Sequence, residues 1–254
     1  MTIPAAESYR QAAAILRASR HNVAFTGAGI SVESGIPPFR GEEGLWARHD
    51  PVFLDIDYFY EHPLESWKKI REIFYDFFGK AAPNEAHRQL ADLERRGLLH
   101  SIITQNIDNL HQEAGSRLVI EFHGTSQALV CTRCGAAVRT GSVDMNMLPP
   151  RCSKCNGILK PDFPFFGEPI AKAAHDRSLA EVERAGALLV IGTTGEIMPA
   201  SVFPMIAKSR GAKVVEINVE ESKYTHTVTD VFLRDRATVA MRTLRDLLCP
   251  GEVP

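Results

Sequence analysis

The sequence predicts an α/β fold: a parallel β-sheet covered by helices on both faces, carrying a smaller cysteine-bearing insert. Three observations carry this expectation. Short apolar runs at Asn22–Thr26, 99–103, 118–122, Ala187–Ile191 and 213–219 alternate with stretches of helical periodicity, which is the pattern of βαβ units. Two of those runs end directly in glycine turns, Gly27-Ala28-Gly29 and Gly192-Thr193-Thr194-Gly195. Four of the five cysteines fall in one segment, about 126–165, that also holds Pro149-Pro150 and scattered glycines and reads as a small insert.

Taken in order, residues 5–19 are alanine-rich, with Tyr9, Ala12, Ala13 and Leu16 at helical spacing. The strand at 22–26 then enters Gly27-Ala28-Gly29-Ile30-Ser31. Strand, glycine turn and helix start form the context a dinucleotide-phosphate loop requires. Glycine lets backbone approach a phosphate closely, and free N–H groups at a helix start attract anions. The third glycine arrives only at Gly35, so the order is not Gly-x-Gly-x-x-Gly and the loop alone is a weak sign. The segment 44–84 is dense in aromatics, among them Trp46, Phe53, Trp67, Phe74 and Phe78. It reads as helices packed over the sheet, a core rather than a cofactor surface. Residues 84–97 read as a helix, with Ala86, Leu90 and Leu93 on one face and Gly97 as a stop. A further helix is expected over 172–185.

The densest polar run is Thr104-Gln105-Asn106-Ile107-Asp108-Asn109-Leu110-His111, directly after the apolar pair Ile102-Ile103. Ligands of open α/β sheets bind outside the carboxyl ends of strands, so a polar cluster there reads as a binding site. Amides and a carboxylate offer both donors and acceptors to a planar carboxamide. The plainer reading, a turn built from Asn and Asp after a strand, stays open on these residues alone. His123 follows another apolar stretch, Leu118 to Ile120, in Glu121-Phe122-His123-Gly124. A neutral histidine titrates near working pH and suits a general base, although a lone histidine after a strand is often a satisfied core residue. His111, inside the helix predicted at Asn109-Leu110-His111, reads as structural.

Bulk composition narrows the class. Apolar residues make up 44% and charged residues 24%, which fits an ordinary globular protein rather than a disordered or membrane-spanning one. Lys plus Arg number 29 against 31 Asp plus Glu, which gives no electrostatic reason to expect nucleic acid or a membrane surface as partner. Apolar runs such as Ala187–Ile191 are far too short to span a bilayer. Met1-Thr2-Ile3-Pro4-Ala5-Ala6-Glu7 carries no signal pattern, so a cytoplasmic location is expected. Cys131-x-x-Cys134 and Cys152-x-x-Cys155 are separated by 17 residues, the spacing of a structural zinc site. A reducing compartment argues against disulfides, and two pairs argue against a redox motif. A four-cysteine site is closed, so its zinc would not be catalytic. Cys249 reads as an ordinary thiol.

Together these motifs resemble the sirtuin family of NAD-dependent protein lysine deacylases. The resemblance rests on Gly27-Ala28-Gly29-Ile30-Ser31, Ser34-Gly35-Ile36-Pro37-x-Phe39-Arg40-Gly41, Thr104-Gln105-Asn106-Ile107-Asp108, His123-Gly124, both cysteine pairs, Phe166-Gly167-Glu168, Gly192-Thr193 with Pro199-Ala200, and Ile217-Asn218. It implies one catalytic unit over 1–254. A Rossmann-type NAD-binding lobe (about 1–43, 84–125 and 166–254) would be joined to a small lobe, with a helical module at about 44–83 and a zinc module at about 126–165. It implies NAD as co-substrate, acylated lysine on proteins as partner, and structural zinc on Cys131, Cys134, Cys152 and Cys155. The catalytic residues it implies are His123, Asn106 and Asp108. Gly27, Ala28, Gly29, Phe39 and Arg40 would hold the NAD phosphates and screen the reacting ribose. Gln105, Asn106, Ile107 and Asp108 would form the ribose and nicotinamide pocket. Gly192, Thr193, Thr194, Asn218 and Glu220 would sit at the phosphate and adenosine end. Pro164, Phe166, Gly167 and Glu168 would line the peptide groove. An ADP-ribosyltransferase or NAD hydrolase on the same scaffold is the alternative activity, and a quiet NAD- or acyl-lysine-binding module a third. A monomer is compatible with all three.

Some residues depart from the family pattern. Pro38 replaces a usual Asp or Thr, which would stiffen the cofactor loop. Phe163-Pro164 replaces two β-branched residues, and proline keeps the carbonyl that the family uses to accept the substrate N–H. Gly195-Glu196 replaces an apolar pair, so a charge either meets the peptide or faces solvent. Members that take acidic acyl groups carry Tyr-x-x-Arg, whereas the match here is Tyr75-Asp76-Phe77-Phe78, which argues against succinyl- or malonyl-lysine.

Overall fold

A computed structural model describes residues 5–39, 41 and 44–251. In chain order its strands are β1 (Asn22–Thr26), β2 (Ser101–Thr104), β3 (Val119–Glu121), β4 (Thr125–Cys131), β5 (Ala137–Arg139), β6 (Leu159–Asp162), β7 (Ala187–Ile191), β8 (Lys213–Asn218) and β9 (Val231–Arg234). Six of them form one sheet in the order β3-β2-β1-β7-β8-β9, every neighbouring pair parallel. Numbered by its own strands this is 3-2-1-4-5-6, the order of dinucleotide-binding sheets, with the switch point between β1 and β7.

The central strands are apolar throughout because helices cover both faces; all five residues of β1 and of β7 are buried. Successive side chains point to opposite faces. Ala24, Ile102 and Leu189 meet Leu16, Leu90 and Leu244 on one side, while Phe25, Leu188 and Val190 meet Val182, Phe203 and Ala207 on the other. Asn22 anchors the start of β1 by donating from Nδ2 to the carbonyls of Leu16 and Leu98, each at 2.8 Å.

Beyond the strands of the cysteine segment, three elements add to those the sequence predicts. Strand β9 has only four residues at the sheet edge and carries no usable pattern. The helix Phe203–Ser209 starts on Phe203-Pro204, where proline is tolerated in the first turn. The helix Ala237–Leu248 buries Ala240, Met241, Leu244 and Leu248 at helical spacing.

The aromatic segment does not pack over the sheet as expected. Phe53, Phe59, Trp67 and Phe74 form a separate core with Leu129, Leu159, Phe163 and Phe165. The latter residues belong to β4, β6 and the loop that follows β6, and β4 pairs antiparallel with both β5 and β6. Trp67 Nε1 donates to the Leu159 carbonyl at 2.8 Å and fastens the helical segment to β6. Large aromatics are consumed there because three short strands cannot bury a core alone.

Candidate active site

The glycine turns after β1 and β7 meet at the switch point. Gly29 N–H donates to the Gly192 carbonyl at 2.9 Å. A Cβ on Gly29 would lie 2.6 Å from Gly192 Cα, and one on Gly27 would lie 2.8 Å from Gly192 O. The glycines are therefore required by the contact between the two loops as well as by any approaching phosphate. Ala28–Ser34 forms a 3-10 turn, and the helix Glu85–Arg95 supports it: Asn84 caps that helix and donates from Nδ2 to the Ile30 carbonyl at 2.7 Å.

A cleft of about 960 Å³ opens outside the carboxyl ends of the strands. Of the expected site residues, it is lined by Gly27, Ala28, Gly29 and Phe39 from the first loop and by Gln105, Asn106, Ile107 and His123. Gly192, Thr193, Thr194 and Asn218 line it on the far side of the switch point, and Pro164, Phe166, Gly167 and Glu168 along another wall. Arg40 lies outside the described residues.

The polar run is wired together rather than merely turning. Gln105 donates its N–H to the Thr26 carbonyl at 2.9 Å and its Nε2 to Thr193 Oγ1 at 3.1 Å, bridging both sides of the switch point. Asn218 Nδ2 donates to the Thr193 carbonyl at 3.2 Å. Asn106 Nδ2 donates to Gly27 O at 3.2 Å and to Ser31 Oγ at 3.1 Å. Its Oδ1 is buried with no protein partner, an acceptor left for a donor such as a ribose hydroxyl. Ser31 Oγ in turn donates to Asp108 Oδ2 at 2.7 Å, and Leu110 N–H donates to Asp108 Oδ1 at 3.1 Å. Burial pushes the Asp108 carboxyl above the usual range despite those donors.

His123 Nδ1 lies 3.0 Å from the Gln105 carbonyl. A carbonyl only accepts, so Nδ1 carries the proton and Nε2 is the basic nitrogen of the neutral ring. Burial lowers the His123 pKa, partly opposed by that hydrogen bond, so the ring is neutral near pH 7. His111 is fully buried, shares a hydrogen bond with Thr26 Oγ1 at 2.9 Å and does not line the cleft, in keeping with a structural role.

Several expectations are corrected. Glu220 is exposed and off the cleft; Val219, Asp235 and Arg236 line that end instead. Asp108 stands behind the lining, reaching it through Ser31 and Asn106. Glu196 faces Lys223 at 3.6 Å and not the cleft. Tyr75 stacks on Trp67 with centroids 6.2 Å apart, and Phe78 packs on Phe74, so neither lines the cleft; Phe74 does. Tyr75 lies within a π-helix over Arg71–Phe77, and Phe78 opens the 3-10 turn Phe78–Lys80 that follows it. Asp235 and Arg236 follow strand β9, so the carboxyl-edge rule would have found them had that strand been recognised.

The four paired cysteines bring their sulfurs within 4.8 Å of one another, with Cys131 to Cys155 at 3.4 Å and Cys134 to Cys152 at 3.8 Å. Four thiolates at ~2.3 Å from one tetrahedral zinc stand ~3.8 Å apart, so the tetrad fits that ion. A Cβ on Gly157 would fall 2.8 Å from Cys131 Sγ, which explains glycine at that knuckle.

The strand order, the double glycine turn and the polar cleft at the switch point define a Rossmann-type nucleotide-binding protein with an inserted metal module. The Sir2 family model matches residues 27–199. The NAD-dependent protein deacetylase 1 of Pyrobaculum aerophilum is 43% identical over 240 residues, 94% of each chain. The NAD-dependent protein deacylase of Aeropyrum pernix is 43% identical over 236 residues, 91% of this chain and 94% of that one. A solved Sir2–p53 peptide–NAD+ complex superposes with a TM-score of 0.85 at 34% identity, covering 93% of this chain and 96% of its own. The chain belongs to the Sir2 family.

Proposed function

We propose that this chain is an NAD-dependent protein lysine deacylase, acting chiefly on acetyl-lysine and transferring the acyl group to ADP-ribose with release of nicotinamide. The observation that carries the reading is the His123–Gln105 pair: a buried neutral imidazole with Nδ1 committed to a carbonyl, beside a cleft whose buried Asn106 Oδ1 lacks a partner. An acyl-lysine amide oxygen is a poor nucleophile and attacks the nicotinamide ribose only as nicotinamide departs. Asn106 and Asp108, locked through Ser31, are suited to hold ribose and carboxamide in that geometry. His123 Nε2 then takes the proton of a ribose hydroxyl, which captures the acyl carbon. Thr193, Thr194 and Asn218 serve the phosphate and adenosine end. Pro164, Phe166, Gly167 and Glu168 serve the peptide.

Zinc on Cys131, Cys134, Cys152 and Cys155 is structural, holding the β4–β6 module closed. The two-lobe division is supported by the separate aromatic core. No helix among the described residues is long and apolar enough to cross a membrane. We propose cytoplasmic residence, supported by four clustered cysteines that suit a reducing compartment, and no direct nucleic-acid contact, supported by the near balance of charge.

The test is incubation with an acetyl-lysine peptide, with and without NAD. Deacetylated peptide and nicotinamide should accumulate together, and neither should form when its co-substrate is withheld. Nicotinamide release independent of the peptide would indicate NAD hydrolysis, and ADP-ribosylated protein would indicate the transferase reading.

A further inference from the structure

Lys160 is nearly enclosed, its side chain 12% exposed, although the chemistry above gives it no task. Its ammonium donates to the carbonyls of Phe163 at 2.7 Å and Pro161 at 3.1 Å and pairs with Glu168 Oε2 at 2.8 Å. An ammonium has three donors, and all three are matched here. It also stands 4.1 Å from the Phe165 ring centroid, within cation–π range. Glu168 Oε2 accepts the Phe165 N–H at 2.7 Å, and Glu168 N–H donates to the Phe165 carbonyl at 2.9 Å. Phe166 N–H donates to Leu54 O at 2.8 Å, and Phe166 O accepts from Ile56 N–H at 3.1 Å. Within this tightly bonded loop the Pro164 carbonyl accepts no hydrogen bond from the described residues.

We infer that Lys160 is a positioning residue for the acyl-lysine substrate, acting through Glu168 to aim the Pro164 carbonyl at the substrate amide N–H. The inference rests on the reading that the 163–168 loop holds the acyl-lysine. The peptide plane that contains Pro164 C=O also contains Phe165 N–H, and in a trans peptide the two point in opposite directions. Holding Phe165 N–H on Glu168 therefore fixes where the Pro164 carbonyl points. Lys160 secures the same plane from both sides, binding Glu168 after it and the Phe163 carbonyl before it. The proline ring removes the remaining freedom at φ. Removing the ammonium strands a partly buried carboxylate and frees the Phe163 carbonyl, so the loop loses its single orientation.

The test is steady-state kinetics on an acetyl-lysine peptide for the wild type, Lys160→Met, Lys160→Arg and Phe166→Ala, with thermal melting alongside. Lys160→Met keeps the apolar stem and should raise the peptide KM by ~10-fold or more, with the KM for NAD within about twofold of wild type. Lys160→Arg restores a cation with several donors and should recover most of the loss. Glu168→Gln, which keeps an acceptor for Phe165 N–H, should raise the peptide KM by less and serves if Lys160→Met does not fold. An unchanged peptide KM in Lys160→Met, with a raised one in Phe166→Ala, would overturn the clamp and leave the loop reading standing. An unchanged peptide KM in both would overturn the loop reading itself. Equal rises in both KM values with a lower Tm and no recovery in Lys160→Arg would make Lys160 a folding residue only.

Discussion

The parallel sheet and the cysteine module are held together in opposite ways. In the sheet, β1 and β7 are buried at every residue, and helices on both faces supply apolar partners. In the module, β5 alternates exposed and half-buried residues, and β4 buries only three of seven. The sheet can stand on burial, while the module must borrow an aromatic core from residues 53–78 and a metal from its own cysteines. The difference teaches where chemistry can be placed. The rigid carboxyl edge carries His123, Asn106 and Gln105, and the module with its aromatic partner supplies the opposite wall, including Phe163 and Pro164.

The largest expected effect breaks the module and spares the sheet. Structural zinc contributes ~10–16 kcal/mol to small metal-bound folds. Chelation should therefore melt residues 126–165 and abolish deacylation while the six-stranded sheet keeps its amide protection. Hydrogen exchange read by mass spectrometry checks this, and uniform loss of protection across both regions would erase the distinction. Next in size, His123→Ala should lower turnover by ~10²–10⁴-fold, which is ~3–5 kcal/mol of barrier, because a positioned base is lost. NAD affinity measured by calorimetry should change little. The wild-type rate should have its acid limb below pH 6.5, since burial lowers the His123 pKa and the neutral ring persists to lower pH.

A third prediction concerns the sheet alone. His87 is fully buried and lowered from 6.5 to about 4 by burial. The unfolded chain binds that proton more readily, so the stability it contributes is present above pH 6.5 and is lost as pH falls toward 4. The full loss is ~3 kcal/mol for this group. Urea titrations from pH 7 downward should show a shallower decline for His87→Gln, with zinc-ligand protonation common to both proteins cancelling in the difference.

The smallest effect probes the wall between the regions. Leu54, Phe74, Phe163 and Phe165 make that part of the cleft apolar, and among the described residues the basic side chains lining the whole cleft are His123 and, at the far end beside Val219, Arg236. Arg71 is occupied by the Met145 carbonyl at 2.9 Å and by Asp76 at 3.3 Å. Acetyl-lysine, or a longer aliphatic acyl-lysine, should be preferred over succinyl-lysine by ~10-fold in kcat/KM, about 1.4 kcal/mol, because a carboxylate there would be desolvated without a partner. Matched peptides check this, and equal kcat/KM would reveal a cation in the pocket.

What the sequence disclosed, and what it hid, follows the same division. The paired cysteines and the Gln105–Asp108 run were legible because fixed spacing and an adjacent strand tie those residue types to a task. The order of the sheet was not, since alternating strands and helices do not say which strands are neighbours. Gly27 and Gly29 were recognised as a turn, but their partner was Gly192, 163 positions beyond Gly29 and invisible to local pattern. The facing of Tyr75 was not legible, because the π-helix over Arg71–Phe77 shifts side chains and composition gives no warning of one. Glu220 was misplaced because the chain turns away after Asn218, where Lys223 N–H bonds to the Thr194 carbonyl at 3.1 Å.

The central claim is that the acyl group goes to ADP-ribose bound at the carboxyl edge of the sheet, with His123 as the base. Its most direct measurement is the mass of the acyl-bearing product in single-turnover reactions of wild type and His123→Ala with NAD and an acetyl-lysine peptide. O-acetyl-ADP-ribose should equal nicotinamide in amount in the wild type, and that product should be lost in the variant with NAD still bound. Free acetate formed directly, with no acetylated ADP-ribose at the earliest times, or an unimpaired His123→Ala variant, would contradict it.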